Sequence, residues 1–258
     1  GANLIWQAEM DFLSGRILAF DKPYKMTSFG VVGRVRRLLT QKMNGRKIRV
    51  GHAGTLDPLA TGVLILCTGR ATKQIESLQK DTKEYIAELK LGETTPSFDL
   101  EHPVDKTFPT AHITAESFEE AVRKFEGDIL QVPPVFSACK VNGDRAYDLA
   151  RKGKDVQLAA KPIRIEKIDI LELRLPDYAR LHIVCGKGTY IRSLVRDIGE
   201  ALQSGAHMTS LRRTRVGDIS VENCFTLEAF EEWLAAQTIE IPAEFANGPQ
   251  IKKHIKKD

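Results

Sequence analysis

Asp57 is the residue whose type and surroundings most clearly suggest chemistry in this chain. It lies in the glycine-containing segment GHAGTLDPLATG, residues 51–62. The stretch before it, residues 22–56, holds nine lysine and arginine residues and neither aspartate nor glutamate. Such a basic stretch attracts a polyanion, and a carboxylate beside it can serve as nucleophile or base. The pattern predicts a reactive site on a surface that binds a polyanion.

The same residues also fit a structural interpretation. An aspartate followed by a proline is typical of a helix start, in which Asp57 would accept backbone hydrogen bonds and Pro58 would be the first helical residue. A run of basic residues is equally typical of a solvated helix face. Spacing by itself leaves both interpretations open.

The composition is that of a globular protein. Of 258 residues, 42% are hydrophobic and 28% are charged, enough for one large or two small domains. The net charge is only +4, so an argument for nucleic-acid binding depends on local clusters. We predict no metal site, because the cysteines lack the paired spacing of metal ligands.

The sequence favours a cytoplasmic protein. We interpret the four widely separated cysteines as buried thiols in a reducing compartment; they are Cys67, Cys139, Cys185 and Cys224. No apolar run approaches the roughly 18 residues of a membrane span. Residues 1–15 are predicted to be an N-terminal extension that fits neither a signal peptide nor a transit peptide.

Strands and helices mix without regular alternation. The hydrophobic period predicts strands at 16–21, 63–67, 83–92, 163–174 and 181–185, with another starting near residue 211. It predicts helices at 28–40, 71–78, 115–125, 145–152, 189–202 and 227–236, and a loop over 93–114. The fold class expected from this order is α+β, with a mixed, mostly antiparallel sheet flanked by helices.

Three separated segments together resemble the bacterial TruB-type tRNA pseudouridine synthases. They are residues 51–62 (GHAGTLDPLATG), 83–85 (KEY) and 187–192 (KGTYIR). Further agreement comes from residues 18–23, 132–150 and 205–213. The resemblance implies the pseudouridine synthase fold and a catalytic domain over residues 16–246.

The resemblance implies that Asp57 is the catalytic aspartate and that Arg192 is the arginine that pairs with it. An arginine offers a planar fork of donors that suits a carboxylate and holds it ionised. Without the surrounding KGTYIR segment, Arg192 would be interpreted as a helix-surface residue.

Other residues are implied to receive the target base, which must be extruded from the RNA. Tyr85 is implied to stack on the flipped base, and His52 to take part in holding the disrupted RNA loop. Tyr190 and Leu211 are expected to line the same pocket. Judged singly, Tyr85, Tyr190 and Leu211 also fit ordinary core positions, and His52 fits a loop residue bonded to backbone.

RNA recognition is expected through shape and phosphate contacts. The candidate contacts are basic side chains: Lys22, Arg34, Arg37, Lys140, Arg145 and Lys152. Residues 132–162 are predicted to be an RNA-contacting insertion. Residues 247–258 are predicted to be a basic tail, too short for the C-terminal PUA domain that many family members carry.

The implied activity is isomerisation of uridine 55 in the T-loop of tRNA to pseudouridine. The base flips out, its bond to ribose breaks with the help of the aspartate, and the base rejoins through carbon. Because the oxidation state is unchanged, no cofactor and no metal is expected. The expected partner is the T-stem-loop of tRNA, with no membrane and no obligate protein partner, and the protein is predicted to be a monomer. Two alternatives stay open: a non-catalytic tRNA-folding factor and a guide-RNA-dependent pseudouridine synthase.

Overall fold

The computed structural model describes residues 12–136, 140–141, 144–145 and 158–238. The strands, numbered in chain order, are β1 (Ile17–Lys22), β2 (Val50–His52), β3 (Ala60–Thr68), β4 (Lys83–Leu91), β5 (Glu93–Thr94), β6 (Lys106–Thr107), β7 (Gly127–Gln131), β8 (Lys140–Val141), β9 (Asp144–Arg145), β10 (Lys161–Arg174), β11 (Tyr178–Cys185), β12 (Ala206–Val216) and β13 (Ile219–Ser220). The α-helices are α1 (Ser28–Lys42), α2 (Ile75–Leu78), α3 (Ala115–Arg123), α4 (Ile191–Ala201) and α5 (Leu227–Ala235). Two short 3₁₀ helices are Gly69–Gln74 and Val221–Asn223.

The chain divides into two compact units. The first comprises the residues up to Asp81 together with those from Arg213 onward, and the second comprises Thr82–Arg212. The pairs β1–β3, β2–β3, β4–β11, β10–β11 and β7–β10 all run antiparallel. The predicted α+β class with a mostly antiparallel sheet is confirmed.

In the first unit, β3 is covered on both faces. Strands β1 and β2 both pair with it. Leu64 and Leu66 belong to a core shared with α1 and α5, whereas Val63 and Ile65 belong to a second apolar cluster. A nearly continuous apolar run is what a strand buried on both faces requires.

Helix α1 separates an apolar face from a basic one, as predicted. Thr27 caps it, because the hydroxyl oxygen accepts a hydrogen bond from the Gly30 N–H at 2.8 Å. Val31 and Val35 are fully buried, and Arg37 is exposed. The helix thereby contributes apolar residues to the first unit and directs basic residues to solvent.

In the second unit, β4 and β11 pair in register over eight residues, from Lys83↔Cys185 to Lys90↔Tyr178. Alternate residues of β4, including Tyr85, Ala87 and Leu89, are buried, which confirms the predicted period of two. Helices α3 and α4 pack against this unit's strands.

Several predicted boundaries are wrong. Helix α4 begins at Ile191 rather than at a Thr189 cap, because the Thr189 hydroxyl donates to the Gly186 carbonyl at 3.0 Å in the preceding turn. The predicted loop 93–114 contains β5 and β6, which are too short to show a period. Strand β12 starts at Ala206, five residues before the predicted start. Of the helix predicted at 145–152, Arg145 lies in β9, and 146–152 lie outside the described residues.

Cys67 and Cys185 are buried as predicted, and Cys224 is half-buried. Burial raises the pKa of the Cys67 thiol to about 11. Cys139 lies outside the described residues. In the described part of the chain, no helix combines the length and apolar character needed to cross a membrane.

Candidate active site

Asp57 lies in the connection between β2 and β3, and its residue is half-buried. The Ala60 N–H donates to the Asp57 carbonyl oxygen at 2.9 Å, which closes a turn over Pro58 and Leu59. The chain then enters β3 directly. No helix starts at Asp57, so the helix-cap interpretation of Asp-Pro is wrong.

Ser28 holds the residue immediately before Asp57. Its hydroxyl donates to the Leu56 carbonyl and accepts from the Leu56 N–H, both at 2.9 Å. Ser28 and Leu56 are both buried, with exposed fractions of 3% and 4%. Both backbone polar groups of Leu56 are thereby satisfied by one hydroxyl, in a place where unsatisfied groups would be costly.

Lys22 holds the residue immediately after Asp57. Its ammonium group donates to the carbonyls of Pro23 at 2.9 Å, Met26 at 2.6 Å and Pro58 at 3.2 Å. The side chain is fully buried. The predicted contact between Lys22 and RNA phosphates is therefore wrong, because all three ammonium hydrogens are directed to backbone carbonyls inside the protein.

Burial lowers the pKa of Lys22 from 10.5 to about 8. The Arg213 guanidinium lowers this pKa further, while the carboxylates of Asp57 and Asp21 oppose the shift. Desolvation is the largest of these effects. Lys22 is also within electrostatic reach of both Asp57 and Arg213.

Arg213 provides a third contact to the same connection. Its guanidinium donates to the carbonyls of Gly54 at 3.0 Å, Thr55 at 3.4 Å and Val63 at 2.8 Å. Arg213 lies in segment 205–213 and was not predicted to be a site residue. Its burial, with 3% of the residue exposed, separates it from a surface arginine, and this follows only from the fold.

Gly62 is required where β3 passes Arg213. Its φ is +109°, and a Cβ there would lie 2.1 Å from the Arg213 carbonyl oxygen. Any larger residue would clash with the backbone of Arg213, so β3 or the Arg213 backbone would have to shift. Position 62 therefore requires glycine for two reasons, its positive φ and its close packing against Arg213.

Three buried side chains from three different elements therefore hold the backbone on both sides of Asp57. Ser28 comes from α1, Lys22 from β1 and Arg213 from β12. The backbone that carries Asp57 is therefore held at residues 54, 55, 56 and 58, which limits how far it can move.

His52 lies in β2, five residues before Asp57 along the chain, and is half-buried. Its ring is 5.7 Å from that of Phe29, with an interplanar angle of 85°. This edge-to-face arrangement is favourable for aromatic pairs. The first unit therefore places an aromatic pair beside the Asp57 connection.

In the second unit, Arg192 is buried in the first turn of α4. Its guanidinium donates to the Ser97 carbonyl at 3.0 Å, and its Nε lies 3.9 Å from an oxygen of the Asp99 carboxylate. Asp99 also accepts from the Ser97 hydroxyl at 2.6 Å and from the Glu101 N–H at 3.0 Å. Asp99 was not predicted to be a site residue, because it falls in a stretch predicted to be a polar loop.

Comparison with known proteins identifies the family. The family model described as TruB family pseudouridylate synthase (N terminal domain) matches residues 36–191. The model described as tRNA pseudouridylate synthase B C-terminal domain matches residues 192–255. The chain belongs to the TruB family of pseudouridylate synthases. The predicted resemblance is confirmed, and membership makes this chain an isomerase.

Individual relatives of this TruB-family chain agree. A protein named tRNA pseudouridine synthase B from Phocaeicola vulgatus is 62% identical over 231 residues, covering 90% of this chain and 98% of that protein. A protein of the same name from Bacteroides thetaiotaomicron is 59% identical over 234 residues, covering 90% of this chain and 98% of that protein.

A solved structure shows the same fold with lower identity. The crystal structure of a Cbf5-Nop10-Gar1 complex contains a chain that matches with a TM-score of 0.64 and 27% identity. The match covers 90% of this TruB-family chain and 60% of that chain.

The remaining residues predicted to line the TruB-family pocket lie in the second unit. Tyr85 is buried in β4, with 7% exposed, and Leu211 is buried in β12. Tyr190 precedes α4, and the Gln131 side-chain amide bonds both its N–H, at 2.9 Å, and its carbonyl, at 3.1 Å. The roles of Tyr85, Tyr190, Leu211 and His52, and the pairing of Arg192 with Asp57, stay predictions.

The predicted RNA-contacting residues of this TruB-family chain fall into three groups. Arg37 is exposed on α1, and Arg34 forms an ion pair with Glu231 at 3.2 Å. Lys140 and Arg145 are paired residues of the short hairpin β8–β9. Lys152, most of the rest of residues 132–162, and the tail 247–258 lie outside the described residues.

A basic depression of about 420 Å³ in the first unit was not assigned from sequence. Among the described residues, Arg36, Lys47, Ile48, Arg49 and Val50 line it, and none of them is acidic. The Arg36 guanidinium donates to the Val50 carbonyl at 3.0 Å, which fixes one wall. Its charge suits a phosphate group.

Proposed function

We propose that this protein converts uridine 55 in the T-loop of tRNA to pseudouridine. The proposal combines membership of the TruB family with the names of the relatives, which are tRNA pseudouridine synthases B. The observation that carries it is the Asp57 connection, in which buried Ser28, Lys22 and Arg213 hold the backbone on both sides of a half-buried carboxylate.

The reaction needs one well-placed carboxylate and a site that admits a flipped nucleotide. The bond between N1 of the base and C1′ of the ribose breaks, and a bond between C5 and C1′ forms. C5 loses its proton and N1 gains one, so atoms and electrons balance without an oxidant or reductant. Asp57 can act as nucleophile on the sugar carbon, as nucleophile on the base, or as base toward the ribose 2′ proton.

The basic surface of the first unit supports a role for RNA. Arg37 is exposed, and three further cations line the depression formed with Ile48 and Val50. Phosphate contacts of this kind position an RNA without reading its sequence. Tyr85, Tyr190 and Leu211 are proposed to receive the flipped base, and Arg192 to support Asp57. We place the reaction in the cytoplasm, with tRNA as the only partner that the chain requires.

A guide-RNA-dependent synthase is the second candidate, because the sequence resemblance left it open and a chain of the Cbf5-Nop10-Gar1 complex matches this fold. Sequence identity favours the first candidate. It is 27% with that chain and 62% with the Phocaeicola vulgatus protein named tRNA pseudouridine synthase B. Action on tRNA without a guide is therefore the better supported proposal.

The decisive experiment incubates the purified protein with an unmodified tRNA transcript and maps pseudouridine at each position. We expect modification at position 55 with no added protein or guide RNA. A transcript with cytidine at position 55 is the matched control and should stay unmodified. Pseudouridine only at other positions would overturn the site assignment, and activity only with a guide would favour the second candidate.

A non-catalytic tRNA-folding role predicts a different pattern. Under that hypothesis, Asp57→Asn would refold tRNA as well as the wild-type protein, and the wild-type protein would form no pseudouridine. Measuring refolding and modification on the same two preparations separates the two functions.

A further inference from the structure

Phe29 is the most exposed of the large hydrophobic side chains in the described part of the chain, with 78% of its surface accessible. Singly exposed hydrophobic residues are common and carry no meaning by themselves. The exposure of Phe29 becomes informative because of the position of this residue in the first unit.

Phe29 directly follows Ser28, the residue whose hydroxyl bonds both backbone groups of Leu56. Because Leu56 is adjacent to Asp57 in the chain, the hydrogen bonds fix where the Phe29 backbone lies relative to the Asp57 connection. The exposed ring is therefore anchored beside the proposed reaction centre.

The ring also has an aromatic neighbour. The His52 imidazole stands edge-to-face with it, at 5.7 Å between centroids. One such contact leaves most of the phenyl surface accessible to solvent, as the exposed fraction shows. The pair presents aromatic surface at a place where the substrate has to approach.

A second exposed aromatic residue lies in the same segment. Tyr24 is 53% exposed, and the Lys25 ammonium lies 5.7 Å from its ring centroid. The Lys25 backbone N–H donates to the Pro58 carbonyl at 2.7 Å, so this residue too is tied to the Asp57 connection. Segment 23–29 therefore combines exposed aromatic rings with positive charge next to the Asp57 connection.

This combination of exposed aromatic rings and positive charge indicates which class of ligand binds here. Residues 22–56 contain no acidic side chain, so an anionic partner is favoured. Exposed rings beside cations are the features by which proteins bind unpaired nucleobases, which stack on aromatic faces while the phosphates face the cations. A duplex keeps its bases stacked inside and would present only its backbone here.

We propose that Phe29 is an RNA-binding residue whose ring stacks on an unpaired nucleobase next to the nucleotide that reaches Asp57. The inference rests on the proposed function, since it takes the RNA as substrate. It adds a stacking contact on the first unit to the tyrosines considered so far, which lie on the second.

The test measures the dissociation constant of a T-stem-loop RNA for the wild-type protein and for Phe29→Ala, Phe29→Leu and Phe29→Trp. We expect about ten-fold weaker binding for Phe29→Ala and for Phe29→Leu, because leucine keeps apolar surface and lacks a π-face. Phe29→Trp should bind as the wild type does. Leu171→Ala, which removes another exposed apolar side chain, is the matched control and should leave binding unchanged.

A fluorescent base reports stacking directly. With 2-aminopurine substituted in turn at each unpaired position of the loop, the wild-type protein should quench one of them and Phe29→Ala should lose that quenching. Equal binding by the wild type and Phe29→Ala, or full rescue by Phe29→Leu, would overturn the proposal.

A His52→Ala background distinguishes direct stacking by Phe29 from an indirect effect of its ring. If Phe29 acted only by supporting His52, Phe29→Ala would have no effect in a His52→Ala background, and that result would overturn the stacking role. The proposed function is judged by pseudouridine formation in the wild-type protein. A wild type that modifies tRNA while Phe29→Ala binds normally would reject the stacking contact and leave the function intact.

Discussion

Two buried arginines, Arg213 in the first unit and Arg192 in the second, use the same guanidinium group differently. Arg213 donates to three backbone carbonyls at 2.8–3.4 Å, two of them in the connection that carries Asp57. Arg192 donates to the Ser97 carbonyl and approaches the Asp99 carboxylate at 3.9 Å. The first contact positions a backbone, and the second also offsets a buried negative charge. The acceptors around a buried guanidinium therefore decide what it contributes, because its donors are the same in both places.

The largest predicted effect is on turnover, and it should come from removing the negative charge of Asp57 in the first unit. We expect Asp57→Asn to reduce turnover about 10⁴-fold, because an amide serves neither as nucleophile nor as base. Binding of the tRNA transcript should change little. Single-turnover pseudouridine formation and a binding isotherm on the same preparation check this. Residual turnover near the wild-type rate would show that the connection positions something other than a reacting carboxylate.

The next largest effect concerns the buried Asp99 carboxylate and the Arg192 guanidinium in the second unit. Arg192→Ala should lower the free energy of unfolding by about 3–5 kcal/mol, because it leaves the Asp99 carboxylate buried without its guanidinium. Denaturant unfolding followed by circular dichroism measures the loss.

The double variant Arg192→Ala/Asp99→Asn sharpens the comparison. It should recover part of the stability lost in Arg192→Ala, since the buried charge is gone. No second side-chain substitution should recover the stability lost in Arg213→Ala in this way, because the acceptors of Arg213 are backbone carbonyls. Strict additivity of the Arg192 and Asp99 substitutions would contradict an interaction between these side chains.

A smaller effect is expected at Ser28, which positions the backbone with no charge at all. Ser28→Ala leaves two buried backbone groups of Leu56 without their partner and should cost about 1–3 kcal/mol of stability. Turnover should fall about 10- to 100-fold with little change in KM, because a displaced carboxylate affects the chemical step more than binding.

Steady-state kinetics and denaturant unfolding test the Ser28 prediction. Ser77→Ala, at an exposed serine of α2 in the same unit, is its control and should leave both unchanged. A parallel rise in KM with constant turnover would show that Ser28 serves binding instead.

The smallest effect is the pH dependence of Lys22. Its pKa is lowered to about 8 in the folded protein, against an ordinary value of 10.5. Between these values the unfolded chain keeps a proton that the folded chain has released, so raising the pH favours the folded state. From pH 7 to 9.5 this group should add about 1–2 kcal/mol to the free energy of unfolding.

The difference between the wild type and Lys22→Met isolates this contribution, since other titrating groups are common to both proteins. The difference should change with pH in the direction given. A constant difference for Lys22→Met would place the Lys22 pKa near its ordinary value.

Much of the fold was predictable because it depends on local patterns. The alternation of Tyr85, Ala87 and Leu89 predicted β4, and the apolar spacing of Val31 and Val35 predicted α1. The short pair β5–β6 was not predictable, because two residues carry no period. The start of α4 was missed because the Thr189 hydroxyl bonds a preceding carbonyl rather than a helix N–H.

The site was predictable only in part. The basic stretch before Asp57 predicted a reactive carboxylate there, and the family resemblance predicted Arg192 and Tyr85 as further site residues. Lys22 was interpreted as a surface cation because a lysine in a sequence gives no sign of burial. Ser28 and Asp99 were missed because their partners come from other elements, 28 residues away for Ser28 and Leu56 and 93 residues away for Asp99 and Arg192.

The sequence by itself determined the family, the α+β class and the carboxylate in its glycine-containing segment, because these depend on residue identity and short-range order. Only the tertiary structure decided which cations are buried and what they bind. Burial and hydrogen-bond partners arise when distant segments meet, so the same lysine or arginine can contact an RNA phosphate, a backbone carbonyl or a carboxylate. In this protein, Lys22 and Arg213 contact the backbone that carries Asp57, and Arg192 approaches Asp99.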